Sequence, residues 1–206
     1  LWDAFNLLGI AYEAVNNFER AMSRYEESLR LNEDNKEARK RLAILYLKQN
    51  KADEAVGQLK EVIRAEPGNL EAHRMLATLY FEIKKFEEAE KETQVIISAQ
   101  PDNANALLML GRIYGVQQKY EEAIAQLEKL LTLRPGNPEV LLTFGQLYMQ
   151  KKDYEQAEDK FKKIISADPK NEAAYFYLSI VYEKTKRFAE MFFYLKKTIE
   201  LNPDNA

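Results

Sequence analysis

The residue types that most often carry out catalysis or hold metals are scarce in this chain of 206 residues. It has a single histidine, His73, and no cysteine. One histidine without cysteine cannot supply the usual zinc ligand set, and the lack of thiols excludes disulfides and thiolate nucleophiles. We therefore interpret His73 as a structural or partly exposed residue and expect no metal site.

Carboxylates are plentiful, but the acidic pairs recur at a fixed interval of 34 residues. These pairs are Asp53-Glu54, Glu87-Glu88 and Glu121-Glu122. A catalytic pair should be unique and lie in a cleft, whereas acidic residues in the first turn of a helix complement the helix dipole. The pairs therefore predict helix starts, and we expect neither an enzyme active site nor a cofactor.

Composition indicates a folded protein with little net charge. The hydrophobic fraction is 46%, the charged fraction is 31% and the net charge is −3. Nucleic acid is disfavoured as a partner because phosphate binding needs a concentrated cationic surface, and no apolar run approaches the ~18 residues that span a bilayer. We predict a soluble protein without membrane insertion. The lack of cysteine favours the cytoplasm and is compatible with the periplasm.

The sequence repeats every 34 residues, without insertion or deletion, from residue 2 to residue 205. One column is Tyr12, Tyr46, Tyr80, Tyr114, Tyr148 and Tyr182. A second is Asn35, Asn69, Asn103, Asn137, Asn171 and Asn205. The others are Ala21, Ala55, Ala89, Ala123, Ala157 and Met191; Glu33, Pro67, Pro101, Pro135, Pro169 and Pro203; and the small residues Gly9, Ala43, Ala77, Gly111, Gly145 and Ser179. The glycines thus belong to a packing column and not to a phosphate-binding loop.

This pattern resembles the tetratricopeptide repeat, which has a bulky residue at position 4, Leu and a small residue at 7 and 8, Tyr at 11, Ala at 20, an apolar residue at 24 and Pro at 32. The fifth repeat matches at Leu141, Phe144, Gly145, Tyr148, Ala157, Phe161 and Pro169. The departures are Arg39 and His73 at position 4, Glu33 at position 32 and Thr93 at position 24. The resemblance implies an all-α fold, a right-handed superhelical solenoid of antiparallel helix pairs.

The resemblance covers essentially the whole chain and predicts a single domain over residues 1–206. Its repeats are 2–35, 36–69, 70–103, 104–137, 138–171 and 172–205. Because the sequence starts at Leu1 without an initiator methionine, we interpret it as part of a longer protein.

Each repeat should form two helices. In the fourth, apolar spacing predicts a first helix from Ala104 to Val116 and a second from Tyr120 to Thr132. Gly111 and Ala123 should let these helices approach closely, because a larger side chain at either site would overpack the contact. The asparagine column should cap the first helices, and the prolines should end the second helices.

By the same resemblance, the first helices line a concave groove that binds other proteins. The register assigns to this groove Lys40, Arg41, Ile44, Arg74, Met75, Thr78, Leu108, Met109, Arg112, Leu142, Thr143, Gln146, Met149, Phe176, Tyr177 and Ile180. Its N-terminal half is basic with acidic neighbours and its C-terminal half is apolar, which suits an amphipathic helix or an extended segment. The alternative is that several apolar residues only fill the bottom of the groove. No repeat has the Lys and Asn pair that opens the family's carboxylate clamp, so we predict no such clamp.

The sixth repeat is unusually aromatic. Phe193 and Tyr194 replace mostly small or polar residues and, with Phe192, Leu195 and Ile199, form a second candidate interface, because aromatics are enriched at interface hot spots. The alternative is that they pack on a following segment, since solenoids usually end in a polar capping helix.

We therefore predict a protein-interaction scaffold and not an enzyme, with a protein or peptide segment as its partner. One alternative is a structural scaffold that self-associates through its uncapped terminal repeats. Another is the substrate-recruiting arm of an enzyme, or of a secretion or assembly factor, encoded elsewhere in the parent chain.

Overall fold

The computed structural model describes residues 1–202, which form twelve α-helices and no strand. The helices are α1 (Trp2–Ala14), α2 (Phe18–Leu31), α3 (Lys36–Lys48), α4 (Ala52–Ala65), α5 (Leu70–Glu82), α6 (Phe86–Ala99), α7 (Ala104–Val116), α8 (Tyr120–Leu133), α9 (Pro138–Gln150), α10 (Tyr154–Ala167), α11 (Glu172–Lys184) and α12 (Phe188–Leu201). The prediction of an all-α array of helix pairs is confirmed. In the fourth repeat the first helix has the predicted bounds, and the second ends one residue beyond the predicted Thr132.

The chain divides into two compact units. Unit 1, Leu1–Pro101, contains α1 to α6, and unit 2, Asp102–Ala206, contains α7 to α12. Within each unit the two helices of a repeat pack on each other, and the second helix also packs on the first helix of the following repeat. Helices joined by such short turns run antiparallel. Each unit therefore consists of three helix pairs.

The asparagine column caps the first helices, as predicted. In each case the side chain accepts a hydrogen bond from a backbone N–H in the first turn of the next helix, and these residues are Asn35, Asn69, Asn103, Asn137 and Asn171. Such a cap typically contributes about 1 kcal/mol. The sixth member, Asn205, lies outside the described residues.

The proline column follows the ends of second helices, also as predicted. The helices α4, α6, α8 and α10 each end two residues before a proline, namely Pro67, Pro101, Pro135 and Pro169. Proline lacks the N–H that a continuing helix needs and disfavours helical backbone in the residue before it. Pro203, like Asn205, lies outside the described residues.

The turn inside each repeat contains a residue with left-handed backbone. These residues are Asn16, Asn50, Lys84, Gln118, Lys152 and Lys186, with φ between 57° and 63°. The residue after each one donates its N–H to the carbonyl of the tyrosine column, as Lys119 does to Tyr114 at 2.9 Å, which closes a Schellman-type helix end. Asparagine adopts this conformation more readily than lysine or glutamine. Four of the six turns are therefore strained.

Gln118→Gly should relieve one of these strained turns. Glycine has no Cβ to oppose a positive φ, so we expect the free energy of unfolding to rise by about 1 kcal/mol. Asn50→Gly is the matched control, because asparagine already tolerates this backbone, and it should change stability by only a few tenths of a kcal/mol. Urea unfolding followed by circular dichroism measures both. Equal gains in the two variants would contradict the assignment of strain to Gln118.

Small side chains bring the two helices of each repeat together. The alanine column is fully buried at Ala21, Ala55, Ala89, Ala123 and Ala157. A Cβ added at Gly111 would lie 2.7 Å from a methyl carbon of Leu127, which is too close for a real contact. A Cβ added at Gly145 would overlap the ring of Phe161. The prediction that Gly111 and Ala123 permit close helix packing is confirmed.

Two polar residues at position 4 are accommodated by matching contacts. Arg39 donates to the backbone carbonyl of the residue six positions earlier at 3.1 Å and to the side chain of Gln58 at 3.2 Å. His73 makes equivalent contacts, with Nε2 3.0 Å from the Pro67 carbonyl and Nδ1 2.6 Å from the Glu92 carboxylate. His73 is also buried. Its contacts to the preceding turn and to the second helix support the structural interpretation.

Candidate protein-binding face

Within each unit, side chains join the first helices of neighbouring repeats. In unit 1, Lys40 of α3 donates to Glu71 of α5 at 2.6 Å. In unit 2, Gln146 of α9 donates to the hydroxyl of Tyr177 of α11 at 2.6 Å. The first helices therefore lie side by side. We call the surface formed by α1, α3 and α5 the first-helix face of unit 1, and that formed by α7, α9 and α11 the first-helix face of unit 2.

The first-helix face of unit 1 carries basic residues whose charges are largely compensated. Lys40 pairs with Glu71 at 2.6 Å and Glu37 at 3.2 Å, and Arg41 pairs with Glu13 at 2.7 Å and Glu37 at 2.8 Å. The hydrogen bond to Glu71 is the main cause that holds the pKa of Lys40 above its ordinary value. Burial alone would raise the pKa of Glu37, but the bonds from Lys40 and the charge of Arg41 hold it below its ordinary value. These two cations are thus already engaged within the unit.

The other predicted residues of this face differ in accessibility. Arg74 and Ile44 are exposed, and Met75 and Thr78 are half-buried. Leu7 of α1 is also exposed, although it was not among the predicted residues. Leu7 occupies the same position of the repeat as the predicted residue Met75, and this equivalence could have identified Leu7 from the sequence.

The first-helix face of unit 2 is built around an anchored tyrosine. The ring of Tyr177 stacks on that of the buried Phe161, with centroids 5.3 Å apart, and its hydroxyl accepts the hydrogen bond from Gln146. Phe176 packs edge-on against Tyr177 at 5.7 Å, yet its side chain remains 44% exposed. A fixed polar aromatic residue therefore lies beside an accessible apolar ring.

The first helices of unit 2 carry further apolar side chains. Leu142 and Met149 are half-buried and pack against the core cluster that contains Phe161. Met109 and Ile180 are half-buried as well. The exposed Arg112 of α7 pairs with Glu139 of α9 at 3.0 Å. The face thus combines apolar side chains that are supported from beneath with a few polar groups.

Two predicted groove residues are not accessible. Leu108 is only 8% exposed and Thr143 only 5%. The hydroxyl of Thr143 donates to the carbonyl of Glu139 on its own helix at 2.9 Å. The register places both residues at groove positions, but neither offers appreciable surface to a partner.

Among residues 1–202 no three His, Cys, Asp or Glu side chains are grouped so that they could hold a metal ion. In the same part of the chain, no helix combines the length and the hydrophobicity needed to cross a membrane.

Two family models match the chain. One, described as the tetratricopeptide repeat, matches residues 13–62 and 51–113. The other, described as the cytochrome c-type biogenesis protein H TPR domain, matches residues 94–206, which is more than half of the chain. The chain belongs to the tetratricopeptide repeat family. Proteins of this family are generally non-enzymatic scaffolds for protein interaction.

Solved tetratricopeptide structures share the fold at low sequence identity. A tetratricopeptide repeat protein from Parabacteroides merdae is 18% identical, with a TM-score of 0.90 over 97% of this chain and 79% of that one. PilW, titled a type IV pilus biogenesis factor, is 17% identical, with a TM-score of 0.80 over 98% and 94%. PilF of Pseudomonas aeruginosa is 18% identical, with a TM-score of 0.73 over 98% and 92%. No curated protein sequence matches the chain significantly.

The five residues of the second candidate interface, in the sixth tetratricopeptide repeat, have different surroundings. The ring centroid of Tyr194 lies 5.2 Å from that of Tyr182 and 5.9 Å from that of Tyr175, both on α11. Tyr194 therefore packs within its own repeat. The other four members are exposed on α12: Phe192, Phe193, Leu195 and Ile199.

Proposed function

We propose that the chain binds a segment of another protein on the first-helix face of unit 2. The observation that carries the proposal is the exposed ring of Phe176 beside Tyr177, whose position is fixed by Phe161 and Gln146. Exposed aromatic side chains held in a rigid setting lose little entropy when they bind, and they are frequent hot spots.

The chemistry of this face favours an amphipathic partner segment. The half-buried apolar side chains can accept an apolar side chain of the partner, and methionines adapt to different shapes. The Arg112 and Glu139 pair at one edge and the Gln146 amide offer polar contacts. A helix with one apolar stripe or an extended segment with alternating apolar residues fits this combination.

Phe176→Ser should weaken binding of the partner segment by about 30-fold, the loss expected for a hot-spot residue worth about 2 kcal/mol. The partner is first identified with a photo-crosslinking amino acid placed at position 176 and mass spectrometry of the products. The affinity of the identified segment is then measured by calorimetry. Phe176 is a better probe than Leu108, because a change at a buried residue would also disturb the fold.

Phe193→Ser is the matched control, because Phe193 is equally an exposed phenylalanine but lies on a second helix. It should leave the affinity unchanged. Equal weakening by both variants, or none by Phe176→Ser, would reject the first-helix face of unit 2 as the binding site. Circular dichroism of each variant verifies that helical content is retained.

A second candidate function is the recruiting arm of an assembly factor. The observation in its favour is that the model matching residues 94–206 is named for a cytochrome c-type biogenesis protein. Titration with an unfolded apocytochrome c tests this candidate. Saturable binding that Phe176→Ser weakens would support it, and the absence of binding would reject it without affecting the more general proposal.

A further inference from the structure

The hydrogen bond between Gln146 and Tyr177 leaves one donor and one acceptor unused. Gln146 donates an N–H of its side-chain amide to the hydroxyl oxygen of Tyr177 at 2.6 Å. Because the hydroxyl is the acceptor in this bond, its own hydrogen is still available to donate, and the amide oxygen Oε1 of Gln146 is still available to accept. Within residues 1–202 neither group has another hydrogen-bond partner. The two side chains therefore present a donor next to an acceptor.

This donor and acceptor pair is fixed in position and open to a ligand. Both side chains are half-buried, and the ring of Tyr177 stacks on that of Phe161 beneath it. The enclosed side-chain N and O atoms without a partner in residues 1–202 belong to Asn6, Tyr25 and Gln117. Oε1 of Gln146 is not one of them, so it is open to solvent.

The pair occurs at one junction only, between the fifth and sixth repeats. The residues at the equivalent positions of the other junctions inside the two units are Ile10 with Arg41, Ile44 with Met75, and Arg112 with Thr143. Two of these sets contain an apolar residue. In the third, arginine has donors only, and the buried Thr143 hydroxyl already donates to the backbone of its own helix. The pair therefore marks one position on the first-helix face of unit 2.

The chemical complement of this pair is the backbone of an extended segment. In an extended chain the N–H and C=O of one residue point the same way, and they can exchange two hydrogen bonds with one partner. The C=O would accept from Tyr177 and the N–H would donate to Gln146. The interior of a helix uses both groups internally, and a helix end leaves either donors or acceptors free, but not both.

Apolar side chains flank the pair along α9. Leu142 lies about one turn before Gln146 and Met149 about one turn after it, on the same side of the helix. Both are half-buried and pack on the core cluster that contains Phe161. Hydrogen bonds in such an apolar setting are stronger than in water. The surroundings also suit the apolar side chains of a segment whose backbone lies on Gln146.

We propose that the partner segment is extended where it contacts the first-helix face of unit 2, and that Tyr177 and Gln146 bind the backbone C=O and N–H of one of its residues. The apolar side chains on either side of that residue contact Leu142 and Met149. This inference rests on the function proposed above and selects the extended form of the partner over the helical one.

Linear peptides displayed on phage and selected on the unaltered chain provide the probe. Peptides whose binding Phe176→Ser weakens are synthesised, and their affinities are measured by calorimetry. Tyr177→Phe, which keeps the stacked ring, and Gln146→Met should each weaken binding about fivefold, as expected for the loss of one hydrogen bond. Tyr175→Phe is the matched control. It removes a hydroxyl from a tyrosine that packs on Tyr194 within its own repeat, and it should leave the affinity unchanged.

Ester replacement identifies the backbone group. Each peptide bond of a selected peptide is replaced in turn by an ester, which removes one N–H with little change in shape. At one position the ester should weaken binding to the unaltered chain about fivefold, yet it should have no further effect on binding to the Gln146→Met chain. A structural effect of Gln146→Met would not remove the sensitivity to one particular ester.

Three results would overturn the inference and leave the proposed function intact. The first is binding that Phe176→Ser weakens but Tyr177→Phe and Gln146→Met do not. The second is a set of esters that all bind equally well, with affinity lost when an asparagine or glutamine side chain of the peptide is changed. The third is tighter binding of a peptide made more helical with α-aminoisobutyric acid. A library without any peptide that depends on Phe176 would count against both proposals. Circular dichroism verifies that each variant chain is folded.

Discussion

Gly145→Ala and Phe161→Leu should each lower the free energy of unfolding. The double variant should lose less stability than the sum of the two single losses. An added Cβ at Gly145 would overlap the ring of Phe161, which is completely buried. Overpacking of this kind costs about 1–3 kcal/mol. Phe161→Leu alone removes ring atoms that stack on Tyr177 and should cost about 1–2 kcal/mol.

The double variant reproduces a combination that the chain already uses. The second repeat has Ala43 and Leu59 at the positions of Gly145 and Phe161. Ala43 and Leu59 are both completely buried in the second repeat, so an alanine and a leucine can be accommodated together at these two positions, and the coupling free energy between the two substitutions should reach at least about 1 kcal/mol. Urea unfolding of all four proteins, followed by circular dichroism, gives this coupling directly.

Gly57→Ala is the control for the backbone effect of removing a glycine. Gly57 lies in α4, and apart from its chain neighbours and the backbone of its own helix no atom lies within 4 Å of a Cβ added there. Alanine should therefore stabilise the helix there by up to about 1 kcal/mol. Destabilisation by Gly57→Ala, or strictly additive effects of Gly145→Ala and Phe161→Leu, would contradict the role of the ring contact.

The features that the sequence predicts well are those that depend on local backbone chemistry. The caps at Asn35 and its equivalents follow from a side chain that binds the first turn of the next helix. The close approach at Gly111 follows from a small residue that recurs opposite a large one. Both depend on position within one repeat, and the period of 34 residues shows that position directly.

Accessibility within the candidate site was less predictable. The register places Leu108 and Met109 side by side on the predicted groove, yet Leu108 is buried and Met109 is partly open. Burial depends on neighbouring side chains whose sizes vary between repeats, and a column of equivalent positions does not contain this information.

The contact between Tyr194 and its own repeat was equally difficult to predict from the sequence. Its ring meets Tyr175 on α11, a contact between positions 23 and 4 of the repeat. His73 and Glu92 occupy the same two positions and are hydrogen-bonded. If the same residue types occupied these two positions in every repeat, the sequence would have indicated that Tyr194 packs within its own repeat. The residue types differ, because one pair is polar and the other is aromatic, so the sequence does not show that the two positions are in contact.

Glu158→Gln should destabilise the junction between the fifth and sixth repeats by about 1–2 kcal/mol at neutral pH. The Glu158 carboxylate accepts hydrogen bonds from Lys162 at 2.6 Å, from the Tyr182 hydroxyl at 2.9 Å and from Arg187 at 2.9 Å. Tyr182 and Arg187 belong to the following repeat, so this partly buried carboxylate joins two repeats. Glutamine is neutral and has a single acceptor oxygen, and it cannot satisfy all three donors.

The cost of Glu158→Gln should depend on pH in a defined direction. Burial alone would raise the pKa of Glu158, but the hydrogen bonds from Lys162 and Tyr182 hold it below its ordinary value of 4.5. A carboxyl group with a lowered pKa in the folded state contributes its full stabilisation above the unfolded pKa and loses it as the pH falls through the folded pKa. The stability difference between the two proteins should therefore be constant from pH 7 to about pH 5 and should shrink below that.

Urea unfolding at a series of pH values measures this difference, with Glu128→Gln on the exposed side of α8 as the control. The control should stay within about 0.5 kcal/mol of the unaltered protein at every pH. Other carboxylates also titrate in acid, but they do so in both proteins and cancel in the difference. A cost of Glu158→Gln that persists undiminished in acid would mean that the lost interaction is not the ionised carboxylate. The link between the repeats would then depend on packing around Tyr182 and not on its hydrogen bond to Glu158.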